Sequence, residues 1–312
     1  MRIAVVGAGI AGTACSRVLV GAGHVVTLLD RGRVVGGRLA SRRLPDRRTD
    51  RHTDIGASYF TVREETFRAV VDDWERRGLA RPWTDRFHTA TAGGLGEVKP
   101  GPVRWGAPGG LRSLVEDLAK GLPLQVGTEV RSVHDTTVDG REYDAVVLAM
   151  PDPQALSLLD PGSAAAAALA GRAWLPAIAV AAGFAGRTWD PAFDGAFVQG
   201  SDVLDWVADD GRRRGDGAAV LVAHTTPAYA SRYLAGPQAA GPGVVGQLRA
   251  LLDLPEPDWT FVQRWTSAKP VGERAAQFWL HDGVGLCGDG WGASKVEAAW
   301  RSGTLLGEAL AR

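Results

Sequence analysis

The feature that most constrains this chain lies at its start. A short apolar run, Ile3–Val6, leads straight into Gly7-Ala8-Gly9-Ile10-Ala11-Gly12. Apolar residues, partly β-branched, that end in a glycine turn read as a buried parallel strand. Gly9–Val20 then reads as a helix and Val25–Asp30 as a second strand, so the first thirty residues form a βαβ unit. In such a unit the first glycine, Gly7, makes the tight turn. Gly9 lets the backbone approach a pyrophosphate, and Gly12 allows the helix to pack closely on the strand. Ile10 and Ala11 open the helix, where unpaired N–H groups and partial positive charge favour an anion. Asp30 ends the second strand, where an acidic side chain accepts hydrogen bonds from ribose hydroxyls. A purely structural glycine turn would explain the loop but not the helix, strand and acid that follow in order. Dinucleotide binding is the expectation.

Composition bounds the rest. The chain has 312 residues, enough for one or two domains, and 45% hydrophobic against 22% charged residues marks an ordinary globular protein. Basic and acidic residues balance at 35 each, so no net field favours nucleic acid or an anionic membrane. Eight arginines fall within Arg31–Arg51, but no aromatic residues interleave them, and the segment reads as a solvated basic loop. The two cysteines, Cys15 and Cys287, form neither a CxxC pair nor a metal-ligand cluster. A disulfide framework and a bound metal are not expected, and a cytoplasmic location fits. Arg2 and the apolar run after it resemble a weak signal peptide, but five glycines within Gly7–Gly23 argue against one. No run of eighteen apolar residues suggests a membrane span. The 11 tryptophans serve either core packing or the walls of a pocket for a flat ring.

Periodicity predicts strands at Asp54–Thr61, Val103–Trp105, Leu124–Val126, Val130–Val138 and Tyr143–Met150, the last stopped by Pro151. Helices are predicted at Glu64–Arg77 and Gly110–Lys120. From Asp152 the texture changes. Gln154–Leu169 reads as a helix, and Ile178–Phe184, Ala196–Gln199 and Ala218–Thr226 as strands. Asp209–Gly217 reads as a polar turn and Gly241–Leu252 as a helix. Val284–Cys287 returns to the buried-strand pattern, followed by a final helix at Ser294–Leu310. The expected division is a discontinuous dinucleotide domain, 1–62 plus 103–151 plus 266–312, and a substrate domain, 63–102 plus 152–265.

The glycine motif does not choose between FAD and NAD; three further features favour FAD. Gly36-Gly37-Arg38 follows the second strand, where Gly37 approaches the cofactor and Arg38 reaches for the pyrophosphate; such a triplet is typical of FAD enzymes of the amine-oxidase type. The strand Tyr143–Met150 with Pro151 is similar to the one that closes an FAD domain. Cys287-Gly288-Asp289-Gly290 precedes the last helix. A strand, Gly-Asp and helix in this position is where flavoproteins of this fold bring an Asp to the ribitol chain. Lys295, Val296 and Glu297 open that helix, whose N-terminus would face the flavin N1–O2 edge, where negative charge develops on reduction. The plain alternatives are a helix cap for Asp289 and a surface role for Lys295.

Taken with these motifs, the chain resembles bacterial renalases, a branch of the FAD-dependent amine-oxidase-like superfamily. The resemblance also rests on Asp54-Ile55-Gly56-Ala57-Ser58-Tyr59-Phe60-Thr61, Val103-Arg104-Trp105, His224-Thr225-Thr226, Arg264-Trp265 and Lys295-Val296-Glu297-Ala298-Ala299-Trp300. It implies an α/β fold: a Rossmann-like FAD-binding domain with a second antiparallel-sheet substrate domain, the p-hydroxybenzoate hydroxylase or amine-oxidase-like architecture. It implies non-covalent FAD, contacts from Gly56 and Ala57, and a backbone contact of Val130 with the adenine. It further implies oxidation of 2- or 6-dihydro-NAD(P) to NAD(P)+, with dioxygen reoxidising the flavin to give hydrogen peroxide. The pocket candidates are Tyr59, Thr61, Trp105, His224 and Trp265. Tyr59, Trp105 and His224 also suit a core, and Thr61 a helix cap. An amine oxidase or desaturase remains the alternative within enzymes, and a non-catalytic dinucleotide-binding module the alternative outside them.

Overall fold

The structure, a computed structural model, describes residues 1–43, 51–91 and 93–312. Part of the expected basic loop, 44–50, lies outside the described residues. Two sheets organise the chain. The first has six strands in the order Trp279–His281, Val284–Leu286, Ala145–Leu148, Arg2–Val6, Val25–Asp30, Leu124–Val126. All neighbours are parallel except the first pair. Alternation along the first strand explains its unbroken apolar run: Ile3 and Val5 enter one core, Ala4 and Val6 another on the opposite face. The first core takes the helix Ile10–Gly21, the C-terminal helix Val296–Leu310, and apolar residues of the helices Glu65–Arg76 and Leu111–Ala119.

Register sets the functional edge. Val6 lies between Leu148 and Leu29, and Leu148 pairs with Leu286. The carboxyl ends of four parallel strands, drawn from three distant parts of the sequence, therefore open together, where α/β sheets bind their ligands. Backbone proximity is what glycine makes possible here. A Cβ on Gly12 would lie 1.9 Å from the Gly7 carbonyl oxygen, and one on Gly303 would lie 1.9 Å from that of Ala11. At Gly307 the nearest neighbours would be the Val18 Cβ at 2.9 Å and the Cys15 carbonyl oxygen at 3.0 Å. The first and last helices thus touch backbone to backbone.

The second sheet has seven strands in the order Trp259–Pro270, Trp174–Gly183, Val220–Thr225, Leu204–Asp209, Gly195–Val198, Arg81–Thr91, Gly94–Gly106. It is antiparallel apart from one parallel pair, Gly195–Val198 beside Arg81–Thr91. Ile178, Val180, Leu221 and Ala223 bury one face against Tyr229, Val244 and Leu248.

Several expected elements differ. Of Asp54–Thr61, only Asp54 is in a strand, His52–Asp54, which pairs with Ser41–Arg43 inside the segment expected to be loop. Beyond it the chain runs under residues 38–40: the amides of Ile55 and Ala57 donate to the carbonyls of Ala40 and Arg38. The expected helix Gln154–Leu169 is two short ones, Asp152–Leu156 and Ala164–Leu169, and the second starts on a Ser163 cap that accepts from the Ala166 amide. The turn expected at Asp209–Gly217 contains a strand end and a helix, Asp210–Arg214, whose Asp210 and Arg213 are fully buried. The strands Arg81–Thr91 and Trp259–Pro270 carry many charged and polar residues, and Gly94–Gly106 many glycines and prolines, which hides their pairing.

Gly303→Ala should force the two helices apart and cost about 3 kcal/mol. Gly246→Ala, in a helix position with open space around it, should instead stabilise slightly. Thermal denaturation of both variants checks this; equal shifts would contradict the packing account.

Candidate active site

A cleft of about 1530 Å³ joins the carboxyl edge of the first sheet to the second sheet. Small-molecule sites are usually about 300–1,000 Å³, so this one has room for a dinucleotide and a second ligand. At one end Gly7, Gly9, Ile10, Ala11 and Asp30 line it. The helix that starts at Ile10 has no side-chain cap and no acidic residue in its first turn, which leaves its N–H groups open. Asp30 Oδ2 accepts from the Ala8 amide at 2.6 Å and Oδ1 from the Gly32 amide at 2.7 Å, which fixes the glycine loop. Val130 also lines this end. Gly12 does not line the cleft; it faces the Gly7 carbonyl and the Ala149 side chain.

Gly37, Arg38, Gly56 and Ala57 line the middle, together with Asp289, Lys295 and Val296 from the other end of the chain. Arg38 and Asp289 form a two-pronged ion pair, with Nη1 donating to Oδ2 at 2.9 Å and Nη2 to Oδ1. Arg38 Nη1 also donates to the Ala268 carbonyl, and the Ser294 hydroxyl donates to Asp289. Asp289 does not cap the last helix, which begins from Lys295 without a side-chain cap. Glu297, expected at the cofactor, does not line the cleft. Its Oε1 accepts from the amides of Arg63 at 2.7 Å and Glu64 at 2.8 Å, and so serves the start of the helix Glu65–Arg76. Thr61 lines the cleft and is not that helix's cap. Cys287 is buried in the core outside the cleft, and burial raises its thiol pKa well above the ordinary value.

At the far end the structure brings together Tyr59, His224 and Trp265. Trp105 is not with them: it is buried under Phe60, with ring centroids 6.3 Å apart and nearly parallel planes. Strand alternation explains this, because its neighbour Arg104 faces the cleft instead. Sequence reasoning also missed Trp206, Phe197 and Asp205. Trp206 stands 5.8 Å from Tyr59, and its indole N–H donates to the Ser58 hydroxyl at 2.9 Å. The Trp265 indole N–H donates to the Ile55 carbonyl at 2.8 Å. Behind them Arg213 donates to the carbonyls of Ser58 and Asp54 and pairs with Asp210, which pairs in turn with Arg51 at 2.7 Å. This buried cluster holds the segment that carries Tyr59.

The electrostatics follow from that arrangement. Burial, helped by the Arg213 charge, pushes His224 down from 6.5 to about 4, so the ring is neutral at pH 7. Its Nε2 is buried without a partner. Burial raises the Asp205 carboxyl, opposed by Lys269. Burial also raises the Tyr59 phenol, opposed by the Arg104 charge. For His224 the unfolded chain takes a proton near pH 6.5 and the native state only near pH 4. Stability should therefore be lost as pH falls across that window. His224→Gln should lack this part of the decline in thermal midpoint, and identical slopes in both proteins would contradict a buried neutral ring.

The chain is similar to known families and to solved structures. Residues 5–74 match an NAD(P)-binding Rossmann-like domain, and residues 76–305 match the flavin containing amine oxidoreductase family. A putrescine oxidase structure with bound putrescine is similar at a TM-score of 0.75 and 15% identity over 100% of both chains. Cyclohexylamine oxidase from Brevibacterium oxydans gives a TM-score of 0.77 at 14% identity, covering 99% of this chain and 98% of that one. A CLA-producing fatty acid isomerase from P. acnes gives 0.71 at 12% identity, covering 99% and 98%. At these identities the likeness shows the fold alone. With most of its length matched, the chain belongs to the flavin containing amine oxidoreductase family and is an FAD-dependent oxidoreductase.

Proposed function

We propose that the enzyme is a renalase-like oxidase that takes a hydride from 2- or 6-dihydro-NAD(P). The products are NAD(P)+ and, with a proton from solvent and dioxygen as final acceptor, hydrogen peroxide. The residues present fit FAD: an uncapped helix N-terminus follows a glycine whose Cβ would meet nothing within 4 Å, in a cleft large enough for it. In this reading the amides of Gly9–Ala11 hold the pyrophosphate, Gly7 shapes their turn and Asp30 receives the ribose. Val130 meets the adenine, and Arg38 approaches the pyrophosphate beside Gly37. Gly56 and Ala57 would border the flavin, Asp289 would receive the ribitol, and the helix start at Lys295–Val296 would support the N1–O2 edge, where charge develops on reduction. FAD, when bound, supplies the two-electron acceptor. Tyr59, Thr61, Trp206 and Trp265 orient the substrate ring and exclude water.

The observation that carries this reading is the aromatic wall of Tyr59, Trp206 and Trp265 at the substrate end, which suits a flat ring; beside it, burial holds His224 below its ordinary pKa. An alkylammonium ion holds its proton to about pH 10, and a base with a pKa of about 4 does not remove it at neutral pH. A dihydropyridine needs no deprotonation before it gives up a hydride. A second reading, oxidation of a small amine such as those named for the structural neighbours, draws support from the Asp205 carboxylate, which lines the cleft beside the aromatic wall. The free, buried thiols of Cys15 and Cys287 support a cytoplasmic location.

Anaerobic mixing of the holoenzyme with dihydronicotinamide isomers generated by borohydride should bleach the flavin far faster than ordinary NADH, putrescine or cyclohexylamine. Faster bleaching by an amine would overturn the proposal in favour of the second reading.

A further inference from the structure

Arg104 carries a charge that nothing in the cleft wall answers. The residue is only 9% exposed, yet it lines the substrate end. Its Nη1 is buried without a hydrogen-bond partner, and among the described residues no carboxylate pairs with it. Its guanidinium lies 4.3 Å over the Phe87 ring and beside the Tyr59 hydroxyl, contacts that orient the charge without neutralising it. Of the four acids that line the cleft among the described residues, Glu129 is exposed beside Val130 and the other three answer other groups. Asp289 is held by Arg38, Asp30 by the amides of Ala8 and Gly32, and Asp205 responds to Lys269. The hairpin is shaped around the group: a Cβ on Gly101 would lie 2.7 Å from Arg104 Nη2.

A buried guanidinium without a counter-charge is costly to keep, and an incoming anion removes that cost. Its planar fork matches a carboxylate or phosphate with two parallel charge-assisted bonds. The geometry points to Arg104 as the residue that recognises an anionic group, phosphate or carboxylate, on the substrate. For a dihydronicotinamide nucleotide the group is the phosphate after the nicotinamide ribose, and in that form the inference rests on the function proposed above. Arg104 then selects nucleotides over the neutral riboside, and it selects against ammonium ions by repulsion in a low-dielectric site.

The test is binding to the oxidised holoenzyme, followed by flavin absorbance and so independent of turnover. Nicotinamide mononucleotide and nicotinamide riboside share a ring and differ by one phosphate; benzoate reports a carboxylate. The wild-type protein should bind the mononucleotide about tenfold or more tighter than the riboside. Arg104→Gln should erase that ratio while leaving riboside affinity in place, and Arg104→Lys, which keeps the charge, should retain part of it. A ratio near one in the wild type, with Arg104-dependent benzoate binding, would keep the anion site but assign it to a carboxylate and overturn the phosphate form. If both variants change mononucleotide and riboside binding alike, or change neither, Arg104 only positions Tyr59 and the inference fails. Should Arg104-dependent anion binding persist while dihydronicotinamide isomers leave the flavin oxidised, the functional proposal falls and this one stands.

Discussion

The close packing of the last helix on the first is what the site depends on. Gly303 and Gly307 let Val296–Leu310 lie against the backbone of Ile10–Gly21 at distances no side chain would permit. Together with the sheet register Val6–Leu148–Leu286, this places two motifs nearly three hundred residues apart at one sheet edge. Arg38, from the glycine triplet after the second strand, and Asp289, 251 residues later, meet there as an ion pair. Glu297 extends the same logic, tying the start of the last helix to the amides of Arg63 and Glu64. Packing of this kind tolerates little change in volume, so geometry imposed at the helix crossing is transmitted to the cleft.

The substrate end is built by different physics. Arg51, Asp54, Asp210 and Arg213 are buried together, an arrangement that adds little net stability but is severely penalised when one partner is lost. Its benefit is position: Arg213 grips the carbonyls of Asp54 and Ser58 and so fixes the segment that presents Tyr59. The same charge helps keep His224 neutral. For the dihydronicotinamide oxidation proposed above, such a wall would supply orientation and a fixed electrostatic field rather than proton removal.

The sequence made the dinucleotide half largely legible because glycine spacing and apolar runs report backbone constraints directly. The βαβ unit and the strand–Gly-Asp–helix at the far end required only local reading. The substrate half was less legible. Trp105 and Arg104 are adjacent, and which one faces the cleft depends on the pairing of the strand Gly94–Gly106, whose exposed glycines, prolines and few charges give no apolar alternation to fix its phase. Glu297 stood in a motif yet serves another helix, a long-range contact no spacing could reveal. Asp210 and Arg213 looked like surface turn residues because burial of charge depends on partners supplied by distant segments.

The central claim is that both ends of the chain grip one FAD. The most direct measurement is the affinity of the apoprotein for FAD and for ADP, in the wild type and in Asp289→Ala. FAD should bind far more tightly than ADP in the wild type. The substitution should weaken FAD by about tenfold or more and leave ADP at least as tightly bound, since Arg38 stays in place. Unchanged FAD affinity, or an equal loss for both ligands, would contradict the account.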